Sequence, residues 1–346
     1  MKKQILVAMS GGVDSTMAAA VLKESGYDVT GVTFILVEGM DGAAVRAAEK
    51  LGVRHYGMDL KETFEKEVIQ DFIRKYKCGR TPNPCIRCNR FVKFELLLEE
   101  ARRLGIPHIA TGHYARVGRD PESGRILLKK GSDPRKDQSY FLYSLTQDQL
   151  SAVLFPLGEM SKSTVRREAE KMGFSGSGIS ESQEICFVTG KDYVGFLKNR
   201  IPEAFVPGDI LDCQGKILGR HPGIAGFTIG QRKGMGIASE QPLYVLSINP
   251  EKQSIVVGPA EHLYQKKVTA EAVNWVSQSA GERPVPVSAQ IRYNQKPQPA
   301  LLIPGEKDSF QVHFKQPQRA VTPGQAVVCY QGREVTAGGT IVKGEN

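Results

Sequence analysis

The chain has 346 residues, 40% hydrophobic and 24% charged, which describes a water-soluble globular protein too long for one ordinary core, so two or three domains are expected. No apolar run approaches the roughly 18 residues needed to span a bilayer, so a membrane partner is not expected. The 46 Lys and Arg exceed the 37 Asp and Glu, for a formal charge of +9, and such an excess suggests an acidic macromolecular partner, nucleic acid first. The basic start Met1-Lys2-Lys3 precedes an apolar run too short for a signal peptide. The cytoplasm is therefore the expected compartment. Six cysteines in a chain of this kind point to redox or metal chemistry rather than to a disulfide scaffold.

The apolar run 4–9 reads as a buried strand. It leads into Ser10-Gly11-Gly12-Val13-Asp14-Ser15 and then an Ala-rich helix, expected over 15–23. A turn without Cβ atoms at Gly11 and Gly12 delivers the unpaired N–H groups and positive dipole end of that helix to an anion. Ser10 and Ser15 add hydroxyl donors, and Asp14 could orient the turn or hold a magnesium ion. The spacing is neither G-x-x-x-x-G-K-[ST] nor G-x-G-x-x-G. It resembles the pyrophosphate-binding loop of ATP pyrophosphatases, which cleave ATP between the α- and β-phosphates.

Further along, strands are expected at 29–36, 53–58 and 108–111, and helices at 41–51, 62–76 and 93–104. Repeated β-α units of this length imply a doubly wound parallel sheet whose ligands bind beyond the carboxyl ends of the strands. The loop at Ser10 and the segment Thr111-Gly112-His113 both lie at such ends. Two more helices are expected at 146–154 and 161–172. After about residue 200, short apolar runs alternate with Gly, Pro, Asn and Asp turns. These include 210–211, 227–229, 243–248 and 254–257, followed from Val268 by 285–291, 300–303, 310–314, 326–330 and 340–342. The expected architecture is α/β: a catalytic domain over 1–200, a β-rich module over 201–267 and a barrel-like module over 268–346.

Cys85 and Cys88 lie in Thr81-Pro82-Asn83-Pro84-Cys85-Ile86-Arg87-Cys88. The two prolines are expected to keep this segment extended. The cations Lys75, Lys77, Arg80, Arg87, Arg90 and Lys93 are expected to lower the thiol pKa values. Cys186, in Ser182-Gln183-Glu184-Ile185-Cys186-Phe187, follows a Gly- and Ser-rich stretch and reads as a thiol on a mobile loop. Cys78 sits just before the basic loop, and Cys213 and Cys329 read as buried structural thiols. A zinc site lacks a second pair of ligands. Cys85, Cys88 and Cys186 could hold three irons of a [4Fe–4S] cluster. Alternatively, Cys88 and Cys186 form a redox pair in which one carries a persulfide.

These motifs occur in one order with Lys93-Phe94, Lys136-Asp137-Gln138-Ser139-Tyr140-Phe141-Leu142, Gly226-Phe227-Thr228-Ile229-Gly230-Gln231-Arg232-Lys233-Gly234, Arg292-Tyr293 and Arg319-Ala320-Val321-Thr322-Pro323-Gly324-Gln325. The whole set closely resembles the bacterial tRNA-specific 2-thiouridylases (MnmA/TrmU). The resemblance implies ATP-dependent, magnesium-assisted transfer of sulfur to C2 of the wobble uridine, position 34, in tRNAs for Lys, Glu and Gln. It implies that Cys186 carries a persulfide received from a donor protein and that Cys88 is the nucleophile that attacks it, freeing sulfide or forming a disulfide. It places ATP against Ala8, Met9, Ser10, Gly11, Gly12, Val13, Asp14, Ser15, Phe34 and Gly112. It places the tRNA against Asn83, Pro84, Cys85, His113, Lys136, Asp137, Gln138, Arg292, Tyr293 and Gln325.

Two features depart from that pattern. Many relatives carry an aspartate with an acid–base role where this chain has Cys85, and a thiol there adds weight to the cluster alternative. The segment between Phe34 and Asp41 is short and lacks a cysteine- and acid-rich insertion common at that place. A small-molecule amide ligase of the ATP-pyrophosphatase class is the competing enzymatic reading, and the cysteines and the basic β-rich tail disfavour it. A relic nucleotide loop on an iron–sulfur or RNA-binding module is the non-enzymatic one, disfavoured by the intact loop.

Overall fold

The computed structural model describes residues 2–37, 42–174, 185–188, 190, 192–278, 281, 283–306 and 308–345. Strands β1 (Gln4–Ala8), β2 (Asp28–Ile35), β3 (Arg54–Asp59) and β4 (His108–Ala110) are parallel. Between β4 and the last strand of this sheet lies a hairpin, β5 (Ala115–Arg119) and β6 (Ile126–Lys130). The sheet is completed by β7 (Val153–Leu154) and has the order β3-β2-β1-β4-β7. Its connections reverse direction between β1 and β4, and that switch point opens the crevice where doubly wound sheets bind ligands.

Alternation along β1 supplies two cores. Ile5 and Val7 pack on one face with Met17, Ala18, Ala48 and Val165, while Leu6 packs on the other with Phe64, Phe72, Val92 and Phe94. The first face is covered by α1 (Val13–Glu24), α2 (Gly42–Leu51) and the helix Lys162–Lys171. Their alanines remove side-chain bulk and let the helices lie close. Ser161 caps the last of these by accepting from the Thr164 N–H, a cap worth about 1 kcal/mol.

The second face carries two longer helical paths, each interrupted by a π turn. Lys61–Phe64, Glu65–Ile69 and Gln70–Lys77 abut, as do Pro84–Cys88, Asn89–Phe94 and Glu95–Arg103. This corrects the expectation of an extended segment at Cys85. Pro84 occupies the first helical position, where its missing N–H costs nothing and its fixed φ favours the turn. The helix expected over 146–154 also stops early: Gln147–Ala152 is helical and the next two residues are β7.

The second half contains two further sheets. Strands β8 (Gly208–Leu211), β9 (Ile217–His221), β10 (Tyr244–Asn249) and β11 (Ser254–Gly258) form one, in the order β10-β11-β8-β9. The run 227–229 is a turn rather than a strand, because Phe227 fills the core of this module with Ile210, Ile224 and Val245 while the backbone bends. Strands β12 (Tyr264–Trp275), β13 (Val285–Gln290), β14 (Gln298–Pro304), β15 (Ser309–Arg319), β16 (Ala326–Gln331) and β17 (Glu334–Glu345) form the other. Pairing of β12 with both β15 and β17 closes these six strands into a barrel.

The barrel is not a tethered appendage. Strand β6 pairs with β17, so the hairpin from the first half extends the barrel sheet. Arg125 donates to the carbonyls of Trp275 and Val276, and Asn274 to those of Tyr143 and Leu145. Val328, Tyr330 and Val335 of the barrel belong to the same core cluster as Leu6 and Phe72.

Candidate active site

The loop at residues 10–15 closes on itself. Ser15 Oγ accepts from the Ser10 N–H at 3.0 Å and donates to the Gly12 carbonyl at 3.0 Å, with Ser10 Oγ 3.2 Å away. Gly11 has φ +76°, and a Cβ there would stand 2.6 Å from the Ala43 backbone, so glycine is required both by conformation and by space. Gly12 is the N-cap of α1 and no side chain caps it, which leaves the first N–H groups for an anion. Ala8 and Met9 contribute backbone. The Met9 N–H donates to Val32 and its carbonyl accepts from Thr33 Oγ1, while its side chain is buried in the core. Val13 packs inward against the first core, and Phe34 is buried on β2.

Asp14 is fully engaged. Its carboxylate accepts from Lys162 Nζ at 2.6 and 2.7 Å and from the Tyr114 hydroxyl at 2.7 Å. Lys162 is buried, and its own N–H is held by Asp133. Of the two roles expected of Asp14, orienting the turn or holding a magnesium ion, these bonds fit the first, because the carboxylate is already paired with an ammonium group.

The segment 111–113 ties this loop to Lys93. A Cβ on Gly112 would lie 2.7 Å from the Asp14 carbonyl carbon, so only glycine allows the contact. The next side chain, His113, is held by Thr111 Oγ1 at 2.8 Å and lies against the Phe94 and Phe155 rings. Burial, with the charge of Lys93 beside it, pushes the His113 pKa down to about 3, so the imidazole is neutral at physiological pH.

Lys93 is the centre of the sulfur site. In an α-helix a side chain five positions beyond Cys88 would point roughly 140° away. The π turn Asn89–Phe94 returns it to the same face. Lys93 lies within electrostatic reach of Cys85, Cys88 and Cys186. Burial alone would lower its pKa, but the negative charge the three sulfurs carry once deprotonated outweighs this and raises it. Cys186 reaches the site because the adjacent Phe187 packs among Phe64, Phe72 and Phe196, with centroids 5.6, 5.3 and 5.4 Å away. Ser182, Gln183 and Glu184 lie outside the described residues, as does most of the loop expected to be mobile.

The thiol pKa values correct the sequence expectation. Burial raises all three, that of Cys88 to about 12, and Lys93 offsets only part of the rise. Cys88 is 5% exposed, whereas Cys85 and Cys186 reach solvent within densely packed surroundings. Three of the other cations are paired elsewhere: Lys75 with Asp71, Lys77 with Glu203 and Arg87 with Glu67. The resting site therefore holds protonated thiols around one ammonium group. Among the described residues, no three His, Cys, Asp or Glu side chains are gathered to hold a metal ion, these thiols included. As arranged, the donor set does not fit a [4Fe–4S] cluster. Of the remaining cysteines, Cys329 is buried as expected. Cys213 is exposed, 3.3 Å from His262 Nδ1, and Cys78 is exposed at a helix end.

The residues expected to touch tRNA occupy several places. Asn83 is the N-cap ahead of Pro84, and both adjoin Cys85. Asp137 accepts from the N–H groups of Gly131 and Ser139 and from the Ser139 hydroxyl, and Gln138 Oε1 accepts from the Tyr114 N–H, so both shape their own turn. The Lys136 N–H donates to the Asp133 carbonyl. Arg292 Nη2 donates to Ile229 O, Ala320 O and Thr322 Oγ1, and Tyr293 lies 4.3 Å from the Phe141 ring. Gln325 donates to Thr81 and Pro82.

Residues 3–190 match the family model described as tRNA methyl transferase HUP domain, 194–259 its PRC-barrel domain, and 265–341 the aminomethyltransferase beta-barrel domain. The chain is 45% identical to the tRNA-specific 2-thiouridylase MnmA of Heliobacterium modesticaldum, covering 99% of this chain and 93% of that protein. It is 46% identical to the tRNA-specific 2-thiouridylase MnmA of Carboxydothermus hydrogenoformans, covering 99% and 98%. The chain belongs to the tRNA-specific 2-thiouridylase family. Among solved structures, a 4-thiouridine synthetase–RNA complex with bound ATP is similar at 15% identity and a TM-score of 0.35, covering 58% of this chain and 51% of that one.

The roles of two site residues of this thiouridylase-family chain are not legible in its sequence. Lys162 stands at the first position of a helix, where a cation opposes the dipole unless a carboxylate receives it. That misplacement is the available signal. Lys93 appears in the sequence as part of a motif and as one of six neighbouring cations, and its action on the thiols is seen only in the folded chain.

Proposed function

We propose that this chain is an ATP-dependent sulfurtransferase that converts the wobble uridine of tRNA to 2-thiouridine, releasing AMP and pyrophosphate. The observation that carries the reading is the segment 111–113. Gly112 touches the anion loop, and His113 lies beside Lys93, whose charge reaches the thiols, which supports phosphate and sulfur chemistry acting in one crevice. The uracil O2 attacks the α-phosphorus of ATP, the bond to the β-phosphate breaks, and pyrophosphate departs against Gly12 and the uncapped start of α1. The oxygen is then part of a phosphate ester and leaves as AMP.

Cys186 carries the sulfur as a persulfide supplied by a donor protein. The terminal sulfur attacks C2, expelling AMP. Cys88 then attacks the Cys186 sulfur, breaking the sulfur–sulfur bond to the nucleotide. The products are 2-thiouridine and a Cys88–Cys186 disulfide, so the transferred sulfur gains the two electrons that the thiols lose, and an external thiol reductant resets the pair. Lys93 stabilises each thiolate as it forms. The base must leave the anticodon stack to enter, a cost of only a few kcal/mol for an unpaired loop. The substrate tRNAs are those for Lys, Glu and Gln, acted on in the cytoplasm. The net charge of +9 suits such a polyanion.

The test is mass spectrometry of tRNA nucleosides after incubation with ATP and a sulfide or persulfide source. Appearance of 2-thiouridine only when ATP is present is the expected result, and unchanged uridine would refute the assignment.

A further inference from the structure

The barrel meets the thiol helix through one turn. The Thr81 N–H donates to the Pro323 carbonyl at 2.9 Å, and Gln325 Nε2 donates to the carbonyls of Thr81 at 2.9 Å and Pro82 at 3.2 Å. Gly324, at φ +94°, comes so close that a Cβ would stand 2.8 Å from the Thr81 oxygen. Asn83 is the N-cap of the thiol helix, so Gln325 grips the two peptides immediately before it.

The turn is itself pinned. Ala320 adopts φ +56°, a conformation alanine disfavours. Its N–H donates to Leu263, and its carbonyl accepts from Arg292 and Thr322. On its other side Gln325 is bonded through its carbonyl to the N–H of Ile341 in β17. Gln325 therefore projects from a fixed base. Both hydrogens of its amide are committed to Thr81 and Pro82, and the remaining Oε1 is an acceptor.

We propose that Gln325 is a positioning residue for sulfur transfer: its amide sets the entry of the Pro84–Cys88 helix and so aims Cys85 and Cys88 at Lys93 and Cys186. The barrel is thereby a structural part of the sulfur site. This inference rests on the thiolation reading above, but one arm of its test does not.

Two variants probe the side chain. Gln325→Glu keeps its size while replacing the donor with a carboxylate facing two carbonyls, and Gln325→Ala removes it. A third, Gly324→Ala, pushes the turn away from Thr81 and leaves the Gln325 side chain in place. The expected result for all three is a kcat for tRNA thiolation about tenfold or more below wild type, with KM for tRNA within about twofold. In the absence of tRNA, the pH midpoint of iodoacetamide labelling at Cys88, followed by peptide mass spectrometry, is expected to move. A raised KM with unchanged kcat and unchanged labelling would make Gln325 a tRNA contact and overturn the proposal, as would no change in any of the three. If wild-type protein thiolates no tRNA, the functional reading fails, and the labelling comparison still decides whether Gln325 positions the thiols.

Discussion

The anion loop and the sulfur site are built in opposite ways. The loop is nearly complete within six consecutive residues: two serines close it, two glycines shape it, and the start of α1 supplies its donors. The sulfur site draws on distant parts of the chain. Its thiols come from a helix start and a turn some hundred residues later, its ammonium from a π turn, and its support from the barrel. Local geometry suffices to hold an anion, because backbone N–H groups are all it needs. Sulfur transfer needs two thiols and a charge brought face to face, and only tertiary structure can do that.

The largest effect expected from this contrast is at Cys186. Cys186→Ser should abolish thiolation while tRNA affinity stays within a few-fold and tRNA-dependent exchange between ATP and pyrophosphate continues. Loss of exchange together with thiolation would show that the two regions are not separable. Gly11→Ala is the converse case. Strain at φ +76° and the contact with Ala43 should disable exchange and thiolation together. Retained exchange would mean that the loop is not the activation site.

A smaller effect is expected at Lys93. Lys93 lowers the pKa of each thiol against the larger effect of burial, so Lys93→Met should raise them further. The iodoacetamide labelling profile of Cys88 should move to higher pH, and labelling at neutral pH should slow about tenfold for every pH unit by which the midpoint rises. Thiolation should recover partly as the pH is raised. A labelling profile that stays in place would remove Lys93 from the sulfur site.

What the sequence discloses follows the same division. The loop, the parallel sheet and the coverage of its faces are local or periodic features, and the run 4–9 followed by Ser10-Gly11-Gly12 announces them. The closed barrel is foreshadowed by alternating runs, although β12 and the hairpin β5–β6 are not, because their partners lie far away in sequence. At Cys85 the expectation of extended chain fails for a physical reason. Prolines bracketing Asn83 suggest extended chain, yet Pro84 starts a helix as readily as it ends a strand. The expected low thiol pKa fails because five of the six cations counted along the sequence do not act on the thiols, and burial is not visible there. Gln325 appears in the sequence as part of a motif, but which peptide it holds is a tertiary fact.

The central claim is that the loop and the thiols act on one uridine in one reaction. Single turnover of enzyme carrying a persulfide on Cys186, mixed with ATP and unmodified tRNA, tests it most directly. The account requires 2-thiouridine, AMP and a Cys88–Cys186 disulfide to form in equal amounts. Thiouridine formed without AMP, or without that disulfide, would contradict it.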